Sequence, residues 1–194
     1  MYQKRNELDI IALYRGDYRR QLYLREISKK TGIPLKTTQT LLTSLEKNSI
    51  LRSRTNGKNK YFSLNLDNIQ TKSAILQAEI QQTTMFLERY TPIKTFLKSL
   101  RTNDALVVFG SFAKFSADKD SDLDLLMIQE EKQDIPLHLM PYTVHKTELT
   151  EESFLKALER QENLIKEIEE SHIILNNHSF YVNMMWNHYG KKQA

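Results

Sequence analysis

Two aspartates, Asp122 and Asp124, stand one residue apart a short distance after a Gly110-Ser111 pair. The run reads Val107-Val108-Phe109-Gly110-Ser111, ten residues, then Asp122-Leu123-Asp124-Leu125-Leu126. An apolar strand ending in Gly-Ser can open a helix whose first N–H groups lack intrahelical partners and face a phosphate. A second strand with carboxylates at i and i+2 points both to one face. Like charges held side by side call for a cation, and Mg²⁺ takes hard oxygen ligands and shares substrate phosphates. These residues compose most of a metal-dependent nucleotidyl transfer site. The alternative is a solvated acidic turn, against which Leu123 and the apolar residues 125–128 mark a buried strand.

Residues 109–125 resemble the signature of minimal nucleotidyltransferases of the DNA polymerase beta superfamily, in which Gly-Ser is followed after about ten residues by Asp-x-Asp among apolar residues. Ala113-Lys114 stands where that family favours Ala-Arg, Ala117 matches, and Asp120-Ser121-Asp122-Leu123-Asp124 matches almost throughout. Phe115 departs from it, because a glycine is usual there. The resemblance implies that Gly110 and Ser111 hold the β- and γ-phosphates of an NTP, ATP first among them. Lys114 and Ser121 join the nucleotide-binding set, and Asp122 and Asp124 become the catalytic metal ligands. Catalysis is then positioning and charge neutralisation.

The family adds a third carboxylate from a later strand. Here the candidate strand is Pro141-Tyr142-Thr143-Val144-His145-Lys146-Thr147-Glu148-Leu149, with His145 where an aspartate is expected. Glu148 has the opposite parity. Three arrangements stay open: a bulge brings Glu148 to the metal, His145 substitutes, or the site has two carboxylates only.

The elements around these residues follow from periodicity. Strands are expected at about 104–109, 122–129 and 137–148, with a short helix at 111–115 between the first two. A helix follows at 151–170, then the apolar run Ile173-Ile174-Leu175 and a helix at 178–189. Before them, residues 68–101 read as helix, broken at Thr91-Pro92. There Ile69, Leu76, Ile80, Leu87 and Tyr90 recur near every seven residues, the pattern of a dimer-forming strut.

The net charge of +4 conceals an asymmetry: residues 1–67 hold 14 Lys/Arg against 6 Asp/Glu, and the rest hold 14 against 18. A basic N-terminal third is the footprint expected of a polyanion-binding domain. Helical periodicity over residues 8–13 and 22–30 stops at Thr31-Gly32, and Ile33-Pro34 leads into a helix over about 35–47 that buries Thr38, Leu41, Leu42 and Leu45. Lys36, Thr37, Gln39, Thr40 and Thr43 lie on its other face, suited to base edges and phosphates. Asn56-Gly57 between two strand-like runs signals a hairpin. Residues 6–66 resemble a winged helix-turn-helix, and that resemblance places Arg52, Arg54, Lys58 and Lys60 against phosphates or a minor groove of double-stranded DNA.

No apolar run reaches the roughly 18–20 residues of a membrane span, and the first residues have no signal-peptide core. Zero cysteines exclude disulfides and thiolate metal sites and fit a cytoplasmic location. The histidines lack zinc-site spacing.

The expected fold class is α+β or α/β. It comprises a winged helix-turn-helix (1–67), linker helices (68–101) and a polymerase-beta-like nucleotidyltransferase core with a mixed sheet and C-terminal helices (102–194). The expected function is Mg²⁺-dependent transfer of NMP from an NTP to a hydroxyl, coupled to DNA binding, with a protein acceptor and a homodimer among the partners. The alternative is a transcription regulator whose transferase-like domain binds nucleotide without turnover.

Overall fold

The computed structural model describes residues 2–131 and 133–191. The chain divides into two compact units. One takes the described residues of Met1–Glu79 and Met185–Ala194, and the other takes those of Ile80–Met184.

The N-terminal unit contains α1 (Tyr2–Ala12), β1 (Leu22–Tyr23), α2 (Leu24–Thr31), α3 (Leu35–Lys47), β2 (Leu51–Asn56) and β3 (Asn59–Leu64). Its antiparallel sheet has the order β1-β3-β2. Gly32 ends α2 in the left-handed region at φ +72, and its N–H donates to Ser28 O at 2.9 Å, the usual way of closing a helix on its free carbonyls. The buried positions of α3 are Thr38, Leu41, Leu42 and Leu45, as their spacing predicts. The hairpin closes at Asn56↔Asn59, leaving Gly57-Lys58 as its loop with Gly57 at φ +59. Leu22, whose spacing suggests a helix, instead pairs with Phe62 in β1.

The next helix, α4 (Ile69–Arg89), precedes α5 (Ile93–Ser99), with the break at Thr91-Pro92 where a proline restricts the preceding residue. The buried face of α4 is not the seven-residue apolar recurrence. Within the helix Thr71, Ile75, Ala78, Glu79, Thr83 and Phe86 are buried, whereas Ile69 and Ile80 are 67% and 48% exposed; of the recurrence only Tyr90, just past the helix end, is buried. The reason is that its polar members find partners inside. Thr71 Oγ1 donates to Ile50 O at 3.3 Å, Arg15 pairs with Glu79 at 2.6 Å, and Thr83 Oγ1 donates to Ile174 O at 2.7 Å. Polar groups so satisfied are buried at little cost.

The second unit is a mixed four-stranded sheet carrying helices. Its strands are β4 (Ala105–Phe109), β5 (Leu123–Ile128), β6 (Val144–Leu149) and β7 (Ile173–Asn176), in the order β6-β5-β4-β7. β4 is antiparallel to both β5 and β7, and β5 is parallel to β6. Every residue of β4 is buried, as are all of β5 except Asp124, so the two central strands are covered on both faces.

Helices α6 (Gly110–Ala113), α7 (Glu151–Arg160), α8 (Asn163–Glu170) and α9 (His178–Lys191) complete the described elements. The strand expected at 137–148 begins only at Val144. Pro136 and Pro141 remove ladder donors on either side of a 3₁₀ turn at Leu137–Leu139. The helix expected at 151–170 is two helices. Gln161 adopts φ +54 and ends α7, and the N–H of Glu162 closes back on Ala157 O at 3.2 Å, a Schellman-type stop made without glycine. Among the described residues no helix is long and apolar enough to cross a membrane.

Candidate functional site

The site forms where β4 hands over to α6. Phe109, the last residue of β4, is paired with Asp124 on β5. The chain then turns through Gly110 at φ +68. A side chain at this position would suffer left-handed strain, and its Cβ would overlap Asp124 Oδ2. The backbone therefore approaches the carboxylate as closely as a glycine allows.

The helix is short because Phe115 takes φ +57, and Ser116 N–H donates to Ser111 O at 3.0 Å. The chain thus keeps a glycine-like conformation at Phe115 and covers its cost with aromatic packing. The ring lies 6.3 Å from Tyr90 and 6.2 Å from Phe86.

Asp122 sits one residue ahead of the regular part of β5, and Asp124 lies within it. The register of β6 sets His145 beside Asp124. His145 Nε2 lies 3.3 Å from Asp122 Oδ2, and its Nδ1 lies 3.8 Å from Asp124 Oδ1, so both aspartates and the imidazole share one face. Burial raises the pKa of Asp124 above the ordinary carboxylate value. The charge of His145 opposes that shift and the charge of Asp122 adds to it.

Of the three open arrangements, the structure brings His145 to the pair. β6 pairs with β5 in continuous register from Val144 to Leu149, with no bulge. Glu148 is instead ion-paired with Lys146 at 2.6 Å, two residues along and on the strand face opposite His145.

Two other expected residues are already engaged. Lys114 pairs with Glu170 at 2.8 Å. Ser121 Oγ accepts from Asp118 N–H at 2.9 Å and donates to Asp118 Oδ1 at 2.8 Å, and this donated bond is the main cause that holds the Asp118 carboxyl below its usual range. Ser121 thus shapes the loop that delivers the aspartates. Glu170 was not recoverable from the sequence, because it lies 56 residues from Lys114 on a separate helix.

Among the described residues no group of three or more His, Cys, Asp or Glu side chains is arranged to hold a metal alone. The donor set still fits Mg²⁺, which is commonly held by one or two carboxylates and completed by substrate phosphates and water. Asp122 and Asp124 are the residues that would hold it.

In the N-terminal unit, Lys36, Thr37, Gln39 and Thr40 are exposed on α3. The hydroxyls of Thr40 and Thr43 donate to Lys36 O and Gln39 O within the helix, leaving only lone pairs outward. Lys36, Arg54 and Lys58 have no ion-pair partner among the described residues. Arg52 lies 3.7 Å from Asp67, and Lys60 is bound to Glu46 at 2.8 Å.

Comparison with curated proteins and with solved structures finds no match. A family model does match: residues 92–178 fit the nucleotidyltransferase domain. The matched segment runs from α5 to the start of α9 and contains Gly110, Ser111, Asp122, Asp124 and His145. It supports nucleotidyl transfer as the general activity of this part of the chain, which in residues 92–178 is similar to a nucleotidyltransferase domain.

Proposed function

We propose that the chain is a DNA-binding, Mg²⁺-dependent nucleotidyltransferase that moves NMP from an NTP, ATP foremost, to a hydroxyl acceptor. The observation that carries the proposal is the contact geometry of Gly110 with Asp124. A side-chain-free turn and a half-buried carboxylate meet where a nucleotide's phosphates and an attacking hydroxyl must come together.

In this reading the Gly110-Ser111 turn cradles the β- and γ-phosphates. Ser111 Oγ, with no hydrogen-bond partner among the described residues, is available to a phosphate oxygen. Asp122 and Asp124 orient the α-phosphate for in-line attack. Magnesium, when bound with the nucleotide, supplies neutralisation of phosphoryl charge. Lys114 reaches a phosphate only by leaving Glu170. Incubation with Mg²⁺ and each α-labelled NTP, alone and with cell extract, tests the proposal. Transfer of label supports it, and the absence of any nucleotide binding sinks it.

A second reading, nucleotide sensing without turnover, draws on His145. An imidazole beside the aspartates, in place of a third carboxylate, leaves less negative charge to hold metal and activate a hydroxyl. Saturable NTP binding with no label transfer selects this reading.

The N-terminal part is proposed to be a winged helix-turn-helix in which α3 enters a major groove and the hairpin acts as the wing. The exposed Lys36, Thr37, Gln39 and Thr40 on α3 support it, as do Arg54 and Lys58, which have no ion-pair partner among the described residues. Lys36→Glu/Arg54→Glu is expected to abolish retention of double-stranded DNA at low salt in a mobility-shift assay. Unchanged binding removes the groove-reading model. A homodimer through α4 belongs to the same proposal, supported by the exposed Ile69 and Ile80, and a monomeric mass by light scattering at micromolar concentration removes it.

A further inference from the structure

A cleft of about 750 Å³ in the N-terminal unit lies between the start of α2, the outer face of α3 and the hairpin. Arg25, Lys58 and Lys60 line it together with Glu46, Gln39 and Thr43. Its three cations are not equivalent. Lys60 donates to Glu46 at 2.8 Å and lies 5.2 Å over the Phe62 ring. Glu46 also accepts from Ser53 Oγ, and the bonds from Lys60 and Ser53 hold its carboxyl below the usual range. Lys60 and Glu46 therefore cancel each other, which leaves this part of the cleft without net charge.

Arg25 and Lys58 are exposed and have no ion-pair partner among the described residues. They come from different elements, α2 and the hairpin loop. Two cations set on separate walls of one cleft can each take a phosphate of a single strand that passes between them. Gln39 and Thr43 add uncharged hydrogen-bonding groups that tolerate a backbone passing over them.

Building on the duplex-binding reading above, on which this rests, we infer that one phosphodiester strand crosses the cleft with Arg25 and Lys58 on its phosphates, while Lys60 serves Glu46 and not the DNA. Arg25 thereby becomes a contact residue outside α3 and the hairpin, and Lys60 leaves the contact set.

The test is the salt dependence of binding to a labelled duplex of mixed sequence, followed by fluorescence anisotropy between about 50 and 200 mM salt. Arg25→Gln and Lys58→Gln should each reduce the slope of log K against log salt by roughly 0.9, the contribution of one phosphate contact. The charge-neutral double variant Glu46→Gln/Lys60→Gln should keep the wild-type slope, as should Lys47→Gln at the end of α3 outside the cleft. If the wild-type chain binds duplex and Lys36→Glu/Arg54→Glu abolishes binding, yet Arg25→Gln and Lys58→Gln keep the full slope, the strand does not cross here and the duplex reading survives. A loss of slope in the double variant also overturns the inference, because Lys60 would then be a DNA contact. A wild-type chain that leaves duplex unbound at the lowest salt overturns the duplex reading itself, and this inference with it.

Discussion

Replacing both aspartates of the site, Asp122→Asn with Asp124→Asn, is expected to stabilise the metal-free protein while removing its chemistry. Asp124 is only half-buried, yet burial is the leading cause of its raised pKa. A carboxyl whose pKa is higher in the folded chain than in the unfolded one binds its proton better when folded. Its charged form therefore costs stability at neutral pH. That cost is relieved as pH falls through the folded value towards the ordinary one near about 3.9.

Asparagine at 124 removes the cost at every pH, and a higher Tm than the native chain at pH 7 is the expected result. The gain should shrink as the pH is lowered through the same window. Label transfer from an α-labelled NTP should fall by about a hundred- to a thousandfold. On the proposed reading Mg²⁺ with nucleotide should stabilise the native chain by binding its folded form, and it should fail to do so in the double variant. Calorimetry with and without Mg²⁺-NTP reads both effects together. A variant less stable than the native chain, or one still protected by ligand, removes the metal-carboxylate account.

Gly110→Ala is the second large effect, and it separates strain from function. An alanine at φ +68 bears a left-handed cost of about 1–2 kcal/mol, which lowers Tm by roughly 4 °C in a chain of this size. Gly32 and Gly57 also have positive φ, with open space where a Cβ would lie, so alanine there carries strain alone. At Gly110 the new methyl also displaces Asp124. A misplacement of about 1 Å in a positioned group costs on the order of a hundredfold in rate. The expected outcome is destabilisation of all three alanine variants, at least as large at Gly110 as at Gly32 and Gly57, with transfer and Mg²⁺-NTP binding lost only at Gly110. Retention of activity in Gly110→Ala would show that the phosphate turn lies elsewhere.

The parts of the site that local sequence encodes were legible, and the parts set by long-range pairing were not. The apolar run 105–109 followed by Gly110-Ser111 identifies a strand, a turn and a helix start, because each is a property of adjacent residues. Asp122 and Asp124 share a face because strand parity requires it. His145 was different. Its place beside Asp124 depends on the parallel pairing of β5 with β6, and no property of residues 129–143 states that register. The prolines flanking Leu137–Leu139 show in the sequence why β6 starts late, although strand-like residues surround them. The stop at Gln161 was hidden, since a left-handed residue ending a helix is usually signalled by glycine. In α4 the buried stripe leaves no apolar period in the sequence, because Thr71, Glu79 and Thr83 are polar and only their internal partners make them core.

Within the sheet order β6-β5-β4-β7, Asp124 and His145 of the candidate site belong to strands of different standing. β5 is held from both sides, and β6 is bonded to β5 alone. Local opening of a sheet begins at its margins, where fewest backbone bonds must be broken. Fraying of β6 would swing His145 away in a brief, low-energy excursion, while Asp124 stays clamped against Gly110 by the β4–β5 ladder. The imidazole and the Asp124 carboxylate are therefore expected to keep different time: Asp124 persists as long as the β4–β5 ladder holds, and the histidine comes and goes with a single edge.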